Sequence, residues 1–364
     1  MAHAFGTEHI APFARIWDNN GEIPRDLWPK LAELGFGGLY VGEDAGGSGL
    51  SRLDATLVFE ALSASCASVA AFLSIHNMCA KMVEDFASPD LKATLLADAV
   101  SMKSVMSYCL TEPSAGSDAA ALRTKADAVE GGFNLSGTKV FISGGGYSDA
   151  YIVMARTGGD GPKGISAFVV KDGADGLSFG GLEDKMGWRN QPTRSVHLDK
   201  CNISDANLLG KMGEGFKYAM KGLDGGRLNI AACSIGSAQS ALSKTVAYMA
   251  DRTAFGQSLD QFQALQFRLA DLEIDLQSAR IFLRQAAWKL DTKAPDATVF
   301  CAMAKKHCTE VGSRVADACL QLHGGYGYLA DYGIEKIVRD LRVHQILEGT
   351  NEIMRLITAR SLIS

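Results

Sequence analysis

Two carboxylates, Glu348 and Glu352, stand four residues apart in the stretch "LEGTNEIMR" near the end of the chain. Acidic residues at this spacing usually belong to a solvated helix face. Glu348 differs because it follows an apolar pair and precedes Gly349, while Thr350 can cap a new helix. A carboxylate held away from water has a raised pKa, which makes it a competent general base near neutral pH. The sequence therefore indicates Glu348 as a candidate base.

The composition of the 364-residue chain excludes several classes of function. With 47% hydrophobic and 21% charged residues, the chain is long enough for two or three packed domains or layers. The formal net charge of -5 gives no reason to expect nucleic acid as a partner. No apolar run is long enough to cross a bilayer, so we expect no membrane insertion. The start "MAHAFGTEHIAPFARIWD" lacks the features of a signal or transit peptide, which predicts a soluble and mature protein.

Cysteine and histidine usage predicts neither a disulfide framework nor a metal site. The eight cysteines include no CxxC pair and lie mostly in apolar segments, which is typical of buried free thiols in a reducing compartment. The seven histidines form no i,i+4 pair and have no Cys or Asp cluster nearby. We therefore predict no bound metal.

The predicted type of secondary structure changes twice along the chain. Helical patterns dominate up to about residue 103, short β-rich runs separated by turns extend from 104 to 212, and long helical patterns fill 213–364. A long helical run is predicted from Ser51 to Ser88. The expected fold is α+β, with an N-terminal helical domain at 1–103, a middle antiparallel β domain at 104–212 and a C-terminal four-helix bundle at 213–364.

Four segments combine small residues with hydrogen-bonding groups. "YCLTEPSAGSD" at 108–118 and "KVFISGGGYSD" at 139–149 leave strands for loops, which predicts a shared face for a planar or phosphorylated ligand. "DRTAFGQSLDQFQALQF" at 251–267 places Arg252 and Phe255 before a helix, with Gln263 about three turns from Arg252, as a diphosphate site would. "LQLHGGYGYLADYGIEKIVRD" at 320–340 has glycines that allow close backbone approach. Ordinary turns, a capped helix boundary and a glycine-terminated helix are the alternative interpretations.

A dinucleotide-binding fold of the common kinds is not supported. No strand is followed by GxGxxG, and the chain has no GxxxxGK[ST] motif. A nucleotide would therefore need another kind of site.

Taken together, "YCLTEPSAGSD", "VFISGG", "DRTAFG", "LQLHGGYGY" and "RVHQILEGTNEIMR" resemble, in order and spacing, the acyl-CoA dehydrogenase family over nearly the whole chain. The resemblance implies one FAD per subunit and a homotetramer, a dimer of dimers with cofactor sites shared across an interface. It also implies that electrons pass from an acyl-CoA substrate to electron-transferring flavoprotein. "MGWRNQPTR" and "GLDGGRLNIAACS" are most similar to members that act on a short branched-chain acyl-CoA, which makes oxidation of isobutyryl-CoA to methacrylyl-CoA the expected reaction.

The resemblance also assigns roles to particular positions. Glu348 matches the catalytic base, and its backbone N–H together with an FAD hydroxyl would hold the thioester oxygen. Positions that match the face of the flavin ring are Tyr108, Leu110, Thr111, Ser117, Phe141 and Ser143. Positions that match contacts to the FAD diphosphate and adenine half from a neighbouring subunit are Arg252, Phe255, Gln263, Gln321, Gly324 and Gly325. Thr350 and Glu352 match contacts within the same subunit, and Ser117, Asp224, Arg227 and Gly349 match the substrate side.

Several alternatives remain open on the sequence. A 2-methylbutyryl-CoA or short straight-chain substrate is possible, because one carbon changes binding by only about 1–3 kcal/mol. An acyl-CoA oxidase would use the same base and flavin, and a non-catalytic acyl-CoA-binding protein could keep the fold. The chain starts late relative to the family's first helix. The expected location is the cytoplasm for a bacterial chain and the mitochondrial matrix for a mature eukaryotic one.

Overall fold

The computed structural model describes residues 1–363. Six helices precede the first strand: α1 (Ala2–Phe5), α2 (Ala14–Asn20), α3 (Leu27–Glu33), α4 (Arg52–Ser63), α5 (Ala67–Phe86) and α6 (Pro89–Val100). A capping box between Ser51 and Asp54 starts α4, and the Ser88 side chain followed by Pro89 starts α6. The single long run expected from residue 51 to 88 is wrong, because the chain breaks at residues 64–66 and α5 turns away from α4.

The middle segment is a β domain, as predicted. Its strands are β1 (Met106–Cys109), β2 (Lys125–Val129), β3 (Gly132–Ser143), β4 (Ala150–Arg156), β5 (Ile165–Lys171), β6 (Leu177–Phe179), β7 (Thr193–Ser204) and β8 (Leu208–Leu209). The expectation of purely antiparallel pairing needs correction, since β1 and β2 both lie parallel to β4. Neither strand joins β4 through a tight hairpin, and longer connections permit the parallel direction. The other pairs, including β3 with β7 and β4 with β5, are antiparallel.

Three long helices and two shorter ones form the C-terminal segment: α7 (Gly215–Asp251), α8 (Gln263–Asp291), α9 (Ala297–His323), α10 (Ile334–Arg342) and α11 (Asn351–Ile363). A small hairpin of β9 (Thr253–Ala254) and β10 (Gln257–Ser258) separates α7 from α8. The helical spacing expected between Arg252 and Gln263 is therefore wrong, because Gln263 is the first residue of α8.

α7 is the central helix of the molecule. Every residue from Gly225 to Ala238 is buried, and most of these residues are small, so neighbouring helices can approach from all sides. α4 and α5 pack on α7 together with α8 and α9, and one hydrophobic core joins both helical segments. The domain boundaries expected after residues 103 and 212 stay predictions. No helix within residues 1–363 combines the length and the apolar character of a membrane span.

Candidate active site

Glu348 lies in the short connection between α10 and α11. Its backbone adopts a left-handed conformation with φ of +56°, which is uncommon for a residue with a side chain. The residue is partly buried, and its Oε2 atom is buried without a hydrogen-bond partner among the described residues. Burial raises the pKa of the Glu348 carboxyl to about 7, although Arg227 and then Lys305 act to lower it. The carboxylate is thus poised as a proton acceptor near neutral pH, as the sequence predicts.

The N-terminal half of α7 closes one side of this carboxylate. A side chain at Gly226 would collide with Glu348 Oε2, so glycine leaves the space in which this carboxylate lies. The neighbouring Arg227 is buried, donates from Nε to the Glu348 carbonyl at 3.4 Å, and forms an ion pair with Asp224 at 2.6 Å. Thr298 donates to the other carboxylate oxygen of Asp224 at 2.7 Å. The structure therefore brings the predicted positions Asp224 and Arg227 together with Glu348.

Residues after Glu348 anchor the loop to α9. Thr350 accepts a hydrogen bond from the Ile353 N–H at 3.3 Å, which confirms that it caps α11. The Lys305 ammonium donates to the Gly349 carbonyl at 2.7 Å and to Asn351 Oδ1 at 3.0 Å. Glu352, in contrast, is exposed and pairs with Arg355 at 3.0 Å. The two carboxylates of "EGTNE" consequently have different surroundings.

The two predicted strand ends are adjacent in the structure. The Val140 N–H donates to the Thr111 carbonyl at 3.0 Å, and Ser107 donates to the Ser143 carbonyl at 2.5 Å. Phe141 sits at an irregularity of β3 with a left-handed φ of +59° and is 68% exposed. Phe141 and Ser143, both on β3, therefore lie beside the segment that leaves β1.

A buried ion pair joins β3 to the segment that follows β1. Lys139 and Glu112 are both buried and lie 2.8 Å apart. Lys139 also donates to the Leu110 carbonyl, while Glu112 accepts from the N–H groups of Arg123 and Thr124. Removing either partner would leave a buried charge, so the pair fixes the start of the 110–124 loop. Ser117 lies further along this loop and is exposed.

Tyr108 lies at the end of β1, near the carboxylate of Glu348. Its phenol oxygen is buried and has no partner among residues 1–363. Burial, and next the Glu348 carboxylate, raise the pKa of Tyr108 well above its usual value. The ring is therefore a neutral wall of the site.

The remaining predicted residues form a second group at the opposite end of the helical segment. Arg252 lies over the ring of Tyr326 at 5.4 Å, so the end of α7 meets the glycine-rich turn after α9. Phe255 is 97% exposed, and a side chain at Gly324 or Gly325 would meet no atom within 4 Å. The other exposed members of this group are Gln263 and Gln321. Arg252 therefore lies beside the glycine-rich turn, and Phe255, Gln263 and Gln321 are exposed.

The two groups are far apart within one chain. Gly226 touches Glu348, whereas Arg252 follows the last residue of α7, Asp251, 25 residues later. At the rise of an α-helix this separation is about 38 Å. Within one chain, the surroundings of Glu348 and the end of α7 at Arg252 are therefore not in contact.

Sequence reasoning missed several residues of the site. Lys305 carries a signal that could have been used, because Cys301, Lys305 and Cys308 recur at helical spacing on a buried face of α9. Gly226 could not be distinguished from its neighbours, since its role depends on the approach of Glu348. Trp188, Gln191 and His344 also have buried side-chain nitrogens without partners among the described residues, and nothing in their local sequence indicates this.

The arrangement fits a flat cofactor with polar edges. Buried polar atoms without a partner among the described residues remain on Tyr108, Gln191 and Glu348, and the Ser143 hydroxyl donates to Gln191 Oε1 at 3.4 Å. Such orphaned groups normally have a partner in water or a ligand. The open glycines beside Arg252 likewise suit phosphate groups. No group of His, Cys, Asp or Glu within residues 1–363 has the arrangement of a metal site.

Comparison with known proteins agrees with this geometry. Three family models match in order: the acyl-CoA dehydrogenase N-terminal domain at residues 1–103, the middle domain at 107–201 and the C-terminal domain at 213–363. Mitochondrial isobutyryl-CoA dehydrogenases of Dictyostelium discoideum and Bos taurus are 50% and 47% identical over 363 residues, which cover 100% of this chain and 87% of each relative.

Solved structures give the same result. Butyryl-CoA dehydrogenase from Megasphaera elsdenii matches with a TM-score of 0.96 and 37% identity, over 100% of this chain and 96% of that one. A chain from the structure of the electron transferring flavoprotein of Acidaminococcus fermentans matches with a TM-score of 0.96 and 38% identity over the same shares. PigA with FAD and proline matches with a TM-score of 0.95 and 29% identity, over 99% of this chain and 95% of that chain.

These similarities extend over the full length and include both the helical segments and the β domain. The chain belongs to the acyl-CoA dehydrogenase family. As a member, it is an FAD-dependent oxidoreductase.

Proposed function

We propose that this protein dehydrogenates a short branched-chain acyl-CoA, with isobutyryl-CoA as substrate and methacrylyl-CoA as product. The observation that carries the proposal is the buried and unpartnered carboxylate of Glu348, held against the glycine face of α7. Identities of 50% and 47% to two isobutyryl-CoA dehydrogenases support the choice of substrate. A one-carbon change is worth only about 1–3 kcal/mol, so 2-methylbutyryl-CoA and short straight-chain acyl-CoAs are the substrates to compare.

Glu348 acts as the general base. Its carboxylate takes the α-proton of the thioester, and the electron pair of that C–H bond becomes the new α,β double bond as a hydride leaves the β-carbon. FAD supplies the acceptor for this hydride when it is bound. The closed surroundings of Oε2 exclude water, which strengthens electrostatic interactions at the reacting carbon.

The backbone next to the base holds the developing negative charge. Across residues 1–363 the Glu348 N–H has no backbone acceptor, so it is free to donate to the thioester oxygen. Arg227 fixes the Glu348 carbonyl and keeps this peptide unit in place. Gly349 and Asp224 border the same space, and Ser117 on the exposed loop is the proposed further substrate contact.

We assign the two separated groups of residues to opposite ends of one FAD. Tyr108, Leu110, Thr111, Ser117, Phe141 and Ser143, with Thr350 and Glu352, would serve the flavin side in one subunit. Arg252, Phe255, Gln263, Gln321, Gly324 and Gly325 would serve the diphosphate and adenine side from a neighbouring subunit. The distance of about 38 Å along α7 supports this division, since one subunit offers each group to a different cofactor.

A homotetramer, a dimer of dimers, is the proposed assembly. Along α8, Phe267, Ile274, Ile281 and Trp288 recur every seven residues and are each more than half exposed. This heptad stripe lies outside the face that packs on the core, and a seven-residue apolar repeat favours packing against another helix. A second copy of the same helix would cover it.

We infer that electrons leave to electron-transferring flavoprotein. The match to a chain from an electron-transferring-flavoprotein structure supports this partner. An oxidase would instead pass electrons to O₂, and a non-catalytic acyl-CoA-binding protein would need neither Glu348 nor the flavin face. For a eukaryotic chain the proposed location is the mitochondrial matrix, as in the names of the two relatives, and for a bacterial chain it is the cytoplasm.

The visible spectrum of the purified protein tests this function. We expect flavin absorbance that bleaches on anaerobic addition of isobutyryl-CoA, faster than with 2-methylbutyryl-CoA or butyryl-CoA. Glu348→Gln should retain the flavin but not bleach, because it lacks the base. Glu33→Gln, at an exposed carboxylate of α3 outside both groups of predicted site residues, is the control for loss of charge.

Four outcomes would change the proposal. Bleaching of Glu348→Gln at the wild-type rate would remove Glu348 from its role. Faster bleaching with another acyl-CoA would change the substrate. A protein without flavin even after reconstitution would support the non-catalytic alternative, and rapid reoxidation of the reduced protein by air would support the oxidase.

A further inference from the structure

Lys305 is a fully buried lysine whose ammonium has no carboxylate partner within residues 1–363. Its relative exposure is 0%, and its two hydrogen-bond acceptors are the Gly349 carbonyl and Asn351 Oδ1. Burial of an ammonium group is costly by several kcal/mol unless a charge compensates it. Burial accordingly lowers the pKa of Lys305 to about 7. Packing alone would be better served by an apolar residue, so the charge requires another explanation.

Both acceptors lie in the short segment that directly follows Glu348. Gly349 follows Glu348 directly, and Asn351 is the first residue of α11. Asn351 also donates to Thr309 Oγ1 at 3.1 Å, one turn beyond Lys305 on α9. One face of α9 therefore holds the loop at two points.

This attachment explains how an unfavourable backbone conformation persists. Glu348 and Gly349 have consecutive left-handed φ values of +56° and +88°. For a residue with a side chain this conformation costs about 1–3 kcal/mol, and it is retained only where surrounding contacts determine it. The hydrogen bond from Lys305 to the Gly349 carbonyl is such a contact.

The charges around Lys305 come from several elements. Glu348 from the loop, Glu352 from α11 and Glu310 from α9 act to raise the pKa of Lys305, whereas Arg227 from α7 acts to lower it. In the other direction, Lys305 lowers the pKa of Glu348 and, after burial, that of His344. The ammonium therefore favours the ionised form of the base.

We propose that Lys305 is a positioning residue for α-proton abstraction: its ammonium fixes the Gly349 carbonyl and Asn351, and so holds Glu348 in its left-handed conformation and ionised. This inference rests on the proposed function, because it presupposes that Glu348 is the base. It extends that function to α9, an element that contributes no residue to the reacting atoms.

Lys305→Met tests the proposal, and the adjacent Lys306→Met is its matched control. Lys306 pairs with Glu310 at 2.7 Å, and Glu310 accepts a hydrogen bond from Asn351 at 3.4 Å, but the Lys306 ammonium has no hydrogen bond to residues 348–351 within the described chain. Its removal therefore deletes the same charge from the same helix while the contacts of Lys305 stay. For Lys305→Met we expect retained flavin, kcat for isobutyryl-CoA lowered by about tenfold or more, KM nearly unchanged, and the acidic limb of the kcat–pH profile moved to higher pH. Lys306→Met should match the wild type in all four measurements.

A second measurement separates positioning from turnover. The carboxylate band of Glu348 can be followed by infrared difference spectra against Glu348→Gln in the resting protein, and its titration should move to higher pH in Lys305→Met. This titration tests the role of Lys305 even if the protein oxidises no acyl-CoA. Failure of the proposed function would be seen separately, because the wild-type flavin would then not bleach on addition of acyl-CoA.

Equal kcat and equal pH profiles for the two lysine variants would overturn the proposal. If Lys305→Met does not fold, Asn351→Ala is the variant that tests the proposal. It removes one hydrogen-bond acceptor of Lys305 and the hydrogen bond between residue 351 and Thr309, but it keeps the Lys305 ammonium. We then expect lower kcat with flavin retained, and an unchanged kcat would overturn the role of this attachment.

Discussion

The difference between Glu348 and Glu352 shows how strongly local surroundings determine the chemistry of a carboxylate. Both belong to the same five-residue stretch, yet Glu348 has a buried oxygen without a partner and Glu352 forms an exposed ion pair with Arg355. The distinction arises from the left-handed turn at Glu348, which directs the chain toward α7 before α11 begins. A buried base carries an energetic cost that can be measured.

We predict that Glu348→Gln stabilises the protein at high pH. Burial raises the pKa of Glu348 from 4.5 to about 7, so its stabilising contribution is fully present below pH 4.5 and is lost as the pH rises through 7. Glutamine does not ionise, so above pH 7 the free energy of unfolding of the variant should exceed that of the wild type by up to about 3 kcal/mol. This difference should disappear near pH 4.5. Unfolding midpoints at pH 5 and pH 8 measure this difference.

The exposed neighbour supplies the comparison for that measurement. Glu352→Gln removes one carboxylate from the same loop but should show no such pH dependence. A difference between Glu348→Gln and wild type that is equal at both pH values would contradict the effect of burial.

At this scale the sequence predicts the base but not what surrounds it. An apolar pair before Glu348 and a glycine after it indicate a carboxylate away from water, because both signals are local. Gly226 and Lys305 act across contacts between elements distant in sequence, and their roles depend on how α7 and α9 pass the loop. A single sequence does not contain those distances.

Among the elements, the strands and long helices are predicted well because their periodicity is strong. The errors lie at junctions. The break between α4 and α5 has neither proline nor glycine at residues 64–66, so the sequence gives no stop signal. The hairpin before α8 shortens the expected helix, and the parallel pairing of β1 with β4 depends on long connections rather than on local pattern.

The heptad stripe of α8 leads to a prediction about assembly. Ile281→Glu combined with Trp288→Glu should dissociate the proposed tetramer, because the two negative charges would face their own copies across a symmetric interface. Light scattering coupled to size-exclusion chromatography should report a mass of a dimer or monomer.

An exposed residue on another helix separates added charge from position. Ala93→Glu adds a negative charge to α6, away from the stripe, and should leave the mass unchanged. A double variant that keeps the wild-type mass would show that the stripe is not an interface between copies.

The whole molecule is organised around α7, which connects the catalytic loop at one end with the Arg252 surface at the other. Its buried middle joins the N-terminal helices to the C-terminal ones in one core. A helix of this length keeps the two groups of residues that we propose to bind the cofactor about 38 Å apart.

This separation predicts complementation between inactive subunits. Glu348→Gln subunits and Arg252→Glu subunits should each be inactive alone, the first without a base and the second with impaired FAD binding to the neighbour. Coexpressed, they should recover up to about a quarter of wild-type activity, because half of random pairs are mixed and each mixed pair contains one intact site.

The alternative arrangement gives a different result. If one subunit held the whole cofactor, mixed assemblies would contain no intact site and no activity would return. Coexpression of Glu348→Gln with a Lys305→Met subunit is the comparison: because both changes lie in the same half of the site, no more activity should appear than the Lys305→Met subunits contribute alone.

The length of α7 also bears on how such a protein matures in a cell. A newly made chain that has folded by itself would carry halves of two different cofactor sites and no complete one. Flavin would then be captured only after two chains meet, so the supply of the vitamin-derived cofactor and the concentration of the chain would jointly set the yield of finished enzyme. Shortage of either would leave open surfaces, such as the one around Phe255, available to the chaperones and proteases that dispose of unassembled subunits.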